Sequence, residues 1–114
     1  MISRLHRFHG RNSLNYVYKH GNSVRGADMA LRSVVNQKRS SYRCAVVVSK
    51  KVSKSAVVRN RIRRRIYEAV RLYYKKSADQ PIDLVFSVFS DNIATLNSQD
   101  LHTMVSQLIN RTNS

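Results

Sequence analysis

The chain has 114 residues, of which 21 are Lys or Arg and 6 are Asp or Glu, so its formal net charge is +15. This length fits one domain and excludes two, and a hydrophobic content of 42% is enough for one modest core. No apolar run approaches the ~18 residues of a membrane span, and the first residues lack the apolar segment of a secretory signal. We therefore expect one basic, cytoplasmic domain over residues 1–114 that does not associate with membranes.

The first predicted element is a short helix over residues 12–20. Asn12 or Ser13 would cap it, and Gly21 would stop it. Its apolar side chains recur at i, i+3 and i+4, on one face: Leu14, Val17 and Tyr18.

Two strands follow in the sequence. Residues 27–36 alternate with a period of two, which predicts a strand with one polar-accessible face. Residues 42–49 are β-branched and nearly uncharged, which predicts a second strand. Because only the short polar turn 37–41 separates them, we expect an antiparallel hairpin.

A long amphipathic helix comes next, capped by Ser53 or Ser55 and about 30 Å long if it runs to Lys76. Its apolar residues step by threes and fours and predict a buried stripe: Val58, Ile62, Ile66, Ala69, Val70 and Tyr73. Basic residues fall on the flank away from the stripe, available to a partner: Arg61, Arg64, Arg65, Arg71 and Lys75.

The last predicted elements are a strand and a helix. Asp79-Gln-Pro81 ends the long helix, residues 82–89 form a strand, and Ser98 caps the final helix. That helix carries apolar residues at helical spacing: Leu101, Met104, Val105, Leu108 and Ile109. The order α-β-β-α-β-α predicts an α+β sandwich with one mostly antiparallel sheet, in which strands 42–49 and 82–89 are parallel neighbours.

The sequence predicts neither a metal site nor a catalytic residue in the protein. Cys44 is the only cysteine and stands in an apolar run, so we expect a buried thiol without a disulfide. The four histidines do not pair with it at metal-ligand spacing. The six carboxylates include no tight pair suited to two-metal catalysis, and no His-Lys or His-His set suggests the acid and base of a nuclease.

The basic residues are concentrated in the long helix and the segment before it. From Lys50 to Lys76 there are five Lys and six Arg against the single acid Glu68. Such a run can be a solvated helix face. Here, however, the charges are almost all positive, and they repel one another unless a bound polyanion neutralises them. Because the planar guanidinium group suits phosphate oxygens and base edges, the sequence predicts a nucleic-acid partner.

Two segments of this region carry a family resemblance. The stretch Val48-Ser-Lys-Lys-Val52 followed by Ala56-Val-Val-Arg-Asn-Arg-Ile-Arg-Arg-Arg65 resembles the signature of the bacterial ribonuclease P protein subunit. The upstream match rests on Arg7-Phe8, the apolar face of the first helix and Gly21, and the downstream match on Asp83-Leu-Val and the final helix. The chain departs from the family at Leu14, where an aromatic residue is frequent, and at Tyr67, where Arg is frequent.

The resemblance implies a ribonucleoprotein in which a catalytic RNA removes the 5′ leader of precursor tRNA. Mg²⁺ would be bound mainly by the RNA and the substrate, and the protein alone would not be catalytic. The implied partners are the catalytic RNA and precursor tRNA, with the protein otherwise monomeric. The implied fold is that of ribosomal protein S5 domain 2, with a left-handed β-α-β crossover, whereas ~98% of such crossovers are right-handed.

The resemblance also implies two groups of site residues. The catalytic RNA would be bound by Lys50, Lys51, Lys54, Arg59, Asn60, Arg61, Arg63, Arg64, Arg65 and Arg71. The leader would lie in a cleft between the first helix and the sheet, bound by Leu14, Tyr18 and Arg32. Stacked bases need flat or apolar side chains beside cations, but Leu14 and Tyr18 are also suited to packing the helix on the sheet.

Single residues have specific expectations. Lys50, Lys51 and Lys54 precede the long helix, where free backbone N–H groups favour phosphate. Asn60 adds little charge, so it would fix a turn, a base edge or a network of metal-bound water, or simply face solvent. Two other functions fit the charge alone: a structural ribosomal or RNA-assembly protein, and an architectural protein with its basic helix in the major groove of DNA.

Overall fold

A four-stranded sheet and three α-helices make up the part of the chain that the computed structural model describes, residues 11–36, 41–76 and 81–112. The helices are α1 (Arg11–His20), α2 (Ala56–Lys76) and α3 (Ser98–Thr112). The strands are β1 (Asn22–Arg25), β2 (Met29–Val35), β3 (Arg43–Val47) and β4 (Ile82–Val88). A 3-10 turn, Asp91–Ala94, joins β4 to α3.

The strand order is β1-β2-β4-β3, with antiparallel β1–β2 and β2–β4 pairs and a parallel β3–β4 pair. The expected mostly antiparallel sheet and the parallel pairing of the strands flanking the long helix are confirmed. The handedness of the β3-α2-β4 crossover stays a prediction.

The predicted hairpin between β2 and β3 is wrong, because β4 lies between them and pairs with both. β4 is an almost continuous apolar run buried on both faces, and such a strand is most stable in the middle of a sheet. The sequence analysis also missed β1, which has one apolar residue, Val24, and forms an edge strand.

Alternate residues of the sheet enter two apolar clusters on opposite faces. Leu84 and Phe86 of β4 belong to the main core, which α2 and α3 cover. Val85 belongs to a smaller cluster under α1, with Val17 and Ala45. Cys44 lies in the main core and is fully buried, as expected. The sheet therefore has one closed face and one face that α1 covers in part.

The boundaries of α2 follow the prediction closely. The Ser55 hydroxyl accepts a hydrogen bond from the Val58 N–H at 3.2 Å, so Ser55 is the cap. The predicted stripe is buried except at its ends, where Val58 and Tyr73 are half-buried. Tyr74, one residue beyond the predicted stripe, is buried instead and stacks on Tyr42 with ring centroids 4.3 Å apart.

The starts of the other two helices differ from prediction by one or two residues. α1 begins at Arg11, so Asn12 and Ser13 lie inside it. α3 begins at Ser98, but the cap is Asn97, whose side-chain oxygen accepts from the Gln99 N–H at 2.8 Å. A carboxamide caps as well as a hydroxyl, so the sequence did not separate the two positions.

Gly21 ends α1 for a reason other than left-handed backbone. Its N–H donates to the Val17 carbonyl oxygen at 2.7 Å. A Cβ atom at this position would lie 2.6 Å from that oxygen and 2.8 Å from the carbonyl oxygen of Ser33 in β2. Gly21 therefore allows α1 and β2 to approach each other closely. Predictions on Arg7, Phe8, residues 37–40 and Asp79 lie outside the described residues.

Candidate nucleic-acid interface

The segment between β3 and α2 presents three exposed lysines, Lys50, Lys51 and Lys54. Arg59, in the first turn of α2, donates to the backbone carbonyl oxygens of Ser53 at 2.9 Å and Lys54 at 3.1 Å. Arg59 thus holds this segment against the helix N-terminus. Because these bonds leave other guanidinium donors unused, Arg59 can hold the segment and contact RNA at once.

Asn60 and Arg63 form a pair on the next turn of α2. The Arg63 guanidinium donates to the side-chain oxygen of Asn60 at 2.9 Å and to the carbonyl oxygen of Val48 at 3.3 Å. Asn60 is exposed, so its amide donors stay on the surface. The structure thus gives Asn60 a contact that the sequence analysis did not consider, the orientation of Arg63.

Arg65 does not lie on the free flank, and that prediction is wrong. Its guanidinium donates to the backbone carbonyl oxygens of Ile93, at 2.6 Å, and Leu96. Burial, and secondarily the charge of Arg61, lower its pKa. The group remains charged, as arginine does in proteins. Arg65 therefore fastens the 3-10 turn and the residues after it onto α2.

Arg61 and Arg64 are exposed and make no hydrogen bond or ion pair with residues 11–36, 41–76 or 81–112. Arg71 continues the same row of the helix at i+7 from Arg64 but is neutralised by Glu68, with N–O distances of 2.5 and 3.1 Å. The Arg71 hydrogen bond holds the pKa of Glu68 below its usual range. Among the arginines of α2, those without a partner in the described chain thus lie in its N-terminal half, while Lys75 and Lys76 add exposed charge at its C-terminus.

The second predicted group lies where α1 crosses the sheet. Val17 is fully buried against Ala45 and Val85, and Leu14 packs on the edge of that cluster, half-buried. Leu14 is thus largely a packing residue. Tyr18 keeps 37% of its surface exposed, which excludes the alternative that it belongs to the core.

Tyr18 and Arg32 are joined in the structure. Arg32, from β2, donates to the carbonyl oxygen of Tyr18 at 2.7 Å, and its guanidinium carbon lies 5.4 Å from the Tyr18 ring centroid. The Tyr18 hydroxyl lies 3.5 Å from the hydroxyl of Ser87 in β4. A flat ring and a cation therefore stand side by side at the border between α1 and the uncovered part of the sheet.

The uncovered part of this face continues past Ser87. Ala30 and Val47 lie beside Ser87 in the register of β2 and β3, and Val47 is exposed. The sequence analysis did not include Ser87 or Val47 in the cleft. The available signal was Ser87 itself, a polar residue in phase with Asp83 and Val85 inside an apolar strand.

Two carboxylates of the described residues, Asp83 and Asp28, take part in contacts between elements of the fold. Asp83 is buried and accepts from Arg43 and Asn36. Asp28 accepts from Asn92 at 3.5 Å. No cluster of three or more His, Cys, Asp or Glu that could hold a metal ion occurs in the described part of the chain.

Comparison with known proteins identifies the family of this chain. The sequence profile of the Ribonuclease P family matches residues 2–113. The chain belongs to the ribonuclease P protein family. The ribonuclease P protein component of Roseiflexus castenholzii is 34% identical over 110 residues, covering 96% of this chain and 88% of the relative. That of Clostridioides difficile is 39% identical over 98 residues, covering 84% and 82%.

Solved ribonuclease P proteins share the fold. The Staphylococcus aureus protein superposes with a TM-score of 0.73 at 22% identity, over 92% of this chain and 93% of that chain. The Thermotoga maritima protein gives a TM-score of 0.65 at 20% identity, over 93% and 94%. The implied α+β fold is confirmed.

Membership of the ribonuclease P family makes the chain the protein component of the ribonucleoprotein that processes tRNA precursors. Its endoribonuclease activity belongs to that complex, in which its partner is the ribonuclease P RNA. The ribosomal and DNA-binding alternatives are set aside. No helix among the described residues is long and apolar enough to cross a membrane.

Proposed function

We propose that the N-terminal half of α2 binds the ribonuclease P RNA, while the uncovered sheet face beside α1 holds the 5′ leader of precursor tRNA, in the cytoplasm. The observation that carries the leader assignment is the exposed Tyr18 ring next to the Arg32 guanidinium. Single-stranded RNA binds where bases stack on aromatic rings and cations meet the phosphates.

The RNA-binding role of α2 is supported by the division among its arginines. Arg61 and Arg64 are free of partners in the described chain, so both guanidinium groups are available to phosphate oxygens. Lys50, Lys51 and Lys54 extend this positive surface over the helix N-terminus, whose free N–H groups also favour anions. Asn60 and Arg63 present oriented donors between them.

Mg²⁺ is held by the RNA and the substrate in this proposal. Among the described residues no three or more His, Cys, Asp or Glu cluster so that they could hold a metal ion, and Asp83 and Glu68 are engaged by arginines. The protein then binds and orients the leader and the RNA, and adds positive charge that lowers the Mg²⁺ concentration required for assembly.

The test compares precursor and mature tRNA binding to a holoenzyme reconstituted with a bacterial ribonuclease P RNA. Tyr18→Leu removes the ring and keeps apolar bulk, and Arg32→Gln removes the charge. We expect the double variant to bind precursor tRNA about five-fold to over a hundred-fold more weakly and mature tRNA almost unchanged, because only the precursor carries the leader.

Tyr16→Leu is the matched control. Tyr16 is on the same helix, is 54% exposed and pairs with His20, 4.6 Å between ring centroids, rather than with the sheet. It should leave the preference for precursor unchanged. Equal losses for precursor and mature tRNA in the double variant would contradict the leader assignment, and a lowered melting temperature would trace them to folding.

A further inference from the structure

Phe89 is an exposed aromatic residue that belongs to neither of the two proposed binding surfaces. Phe89 follows the last residue of β4 and keeps 42% of its surface exposed. Its N–H donates to the carbonyl oxygen of Asp28 at 2.8 Å, so its backbone still belongs to the sheet. The guanidinium carbon of Arg25 lies 4.4 Å from the centroid of its ring. An aromatic ring and an arginine are therefore stacked at the surface.

Phe89 lies on the same sheet face as Tyr18. Side chains alternate along β4, where Val85 packs under α1 and Ser87 meets the Tyr18 hydroxyl. Phe89 is next in this series. Val85, Ser87 and Phe89 thus run from beneath α1, past Tyr18, to the end of the strand.

Arg25 reaches this face from the edge strand. Its Cα pairs with Ala30, and Ala30 pairs with Ser87, so Arg25, Ala30 and Ser87 form one row across the sheet. The neighbouring residue Val24 packs into the main core on the opposite face. Because β-strand side chains alternate, Arg25 projects to the face that carries Tyr18 and Phe89.

Charged side chains of both signs lie at this end of the sheet. The carbonyl oxygen of Arg25 accepts from the guanidinium of Arg111 at 3.3 Å, so two arginines meet here. Three acids lie at this end as well: Asp28, whose carboxylate accepts from Asn92, the exposed Asp91 two residues after Phe89, and Asp100, which lines one groove with Arg111. The stacked pair is therefore distinguished by its exposed ring and guanidinium surfaces rather than by net charge, and it lies on the same face as the Tyr18 and Arg32 pair.

We propose that Phe89 and Arg25 form a second base-stacking site for the unpaired leader of the substrate. This inference rests on the proposed leader-binding role of the uncovered face. A base stacks on the Phe89 ring or on the outer surface of the Arg25 guanidinium, while Arg25 attracts the phosphate of that nucleotide. The leader path then has two aromatic contacts, one on α1 and one at the end of β4.

The spacing of the two sites makes the proposal measurable. Ser87, which marks the Tyr18 site, and Phe89 are two strand residues apart, or about 6.6 Å. The two sites therefore lie at different positions along the path of the leader, and different nucleotides of the leader reach them. Each site should therefore contribute only to leaders long enough to reach it, and the two threshold lengths should differ.

The experiment measures holoenzyme affinity for precursor tRNAs whose leaders grow one nucleotide at a time. With short leaders, Phe89→Leu should bind precursor tRNA as tightly as the wild type does. Beyond a threshold leader length, its affinity should be about five-fold or more lower. Tyr18→Leu should lose affinity beyond a different threshold length. Phe89→Tyr keeps the ring and should restore affinity, and Arg25→Gln should lower it beyond the same threshold as Phe89→Leu.

Val35→Ala is the control for loss of exposed apolar surface. Val35 is 61% exposed and pairs with Ile82, at the opposite end of the sheet from Phe89. It should show no dependence on leader length. Binding of the ribonuclease P RNA without substrate is measured in parallel and should be unchanged by Phe89→Leu.

Three outcomes would overturn the second site. A Phe89→Leu deficit that is the same at every leader length would show a structural role. If Phe89→Leu keeps full affinity for precursor tRNA while Tyr18→Leu loses it, the proposed function stands and only this inference is removed. Weakened binding of the RNA alone would assign the pair to the catalytic RNA. A Phe89 threshold without any Tyr18 deficit would instead support the second site and contradict the role of Tyr18.

Discussion

Arg43 and Asp83 face each other across the parallel β3–β4 pair, and the arginine donates two hydrogen bonds to the carboxylate, at 2.9 and 2.8 Å. The Asp83 side chain is only 4% exposed. A charge buried to this extent is stable only while its partner remains, and the hydrogen bond to Asp83 raises the pKa of Arg43. The pair therefore lies in the sheet as a structural ion pair, apart from the arginines of α2.

Arg43→Met should destabilise the protein by about 3–5 kcal/mol, because it leaves the buried Asp83 carboxylate without its main partner. Urea denaturation measures the change. Arg71→Met is the matched control, since it breaks the exposed pair with Glu68 and should cost little. Similar losses in the two variants would show that burial does not distinguish the pairs.

Gly21→Ala should lower stability and weaken leader binding together. The added Cβ would lie within 3 Å of backbone oxygens of both Val17 and Ser33, so α1 must shift on the sheet. We expect about 1–3 kcal/mol of destabilisation, and a weaker preference for precursor tRNA because Tyr18 moves away from Ser87. The control is Gly26→Ala, whose Cβ meets its nearest atom, the Met29 carbonyl oxygen, at 3.3 Å. Equal stability of both variants would contradict the close-approach role of Gly21.

The arginines of α2 should separate into two classes by salt dependence. Replacing Arg61 and Arg64 by Ala should reduce the slope of log affinity for ribonuclease P RNA against log salt by about 1.4–1.8, with stability unchanged. Arg65→Ala should instead lower the melting temperature, because two backbone carbonyl oxygens lose their donor. An unchanged slope in the first variant would mean that neither side chain contacts phosphate.

Cys44 should be unreactive in the folded protein and make stability fall at alkaline pH. Burial raises the pKa of its thiol, whereas an unfolded chain has a cysteine pKa near ~8.5. The free energy of unfolding is therefore unaffected by this thiol below pH ~8.5. Above that pH only the unfolded chain releases the proton, so the free energy of unfolding falls by up to ~1.4 kcal/mol per pH unit. Cys44→Ala should remove this part of the slope between about pH 7.5 and 9.5. Alkylation of wild-type protein without denaturant would contradict the burial.

The sequence predicted those elements whose signal is local. The repeat of apolar residues from Ile62 to Val70 was sufficient for α2, and Ser55 for its start, because periodicity and capping act within a few residues. The position of β4 was not predictable in this way. Whether β3 pairs with β2 or β4 depends on contacts between segments about 40 residues apart, which no short window contains.

The candidate site, too, was predictable from the sequence only where the signal is local. Charge density alone indicated that α2 binds nucleic acid, but it could not separate Arg61 and Arg64 from Arg65, since all three are basic positions on one helix. What distinguishes Arg65 is the presence of the Ile93 and Leu96 carbonyl oxygens, which arrive from the turn after β4. The partnership of Tyr18 with Ser87 is likewise a contact between distant segments.

The central place of β4 also determines when the protein can fold as the ribosome makes it. The β1–β2 pair and α2 are local and can form early, but β3 has no neighbour in the sheet until β4 has been synthesised. Closing the sheet requires contacts of high sequence separation, which form slowly. During translation, then, the arginine-rich helix emerges before the platform that orders it. A nascent chain of this protein carries most of its positive charge before it has a folded RNA-binding surface.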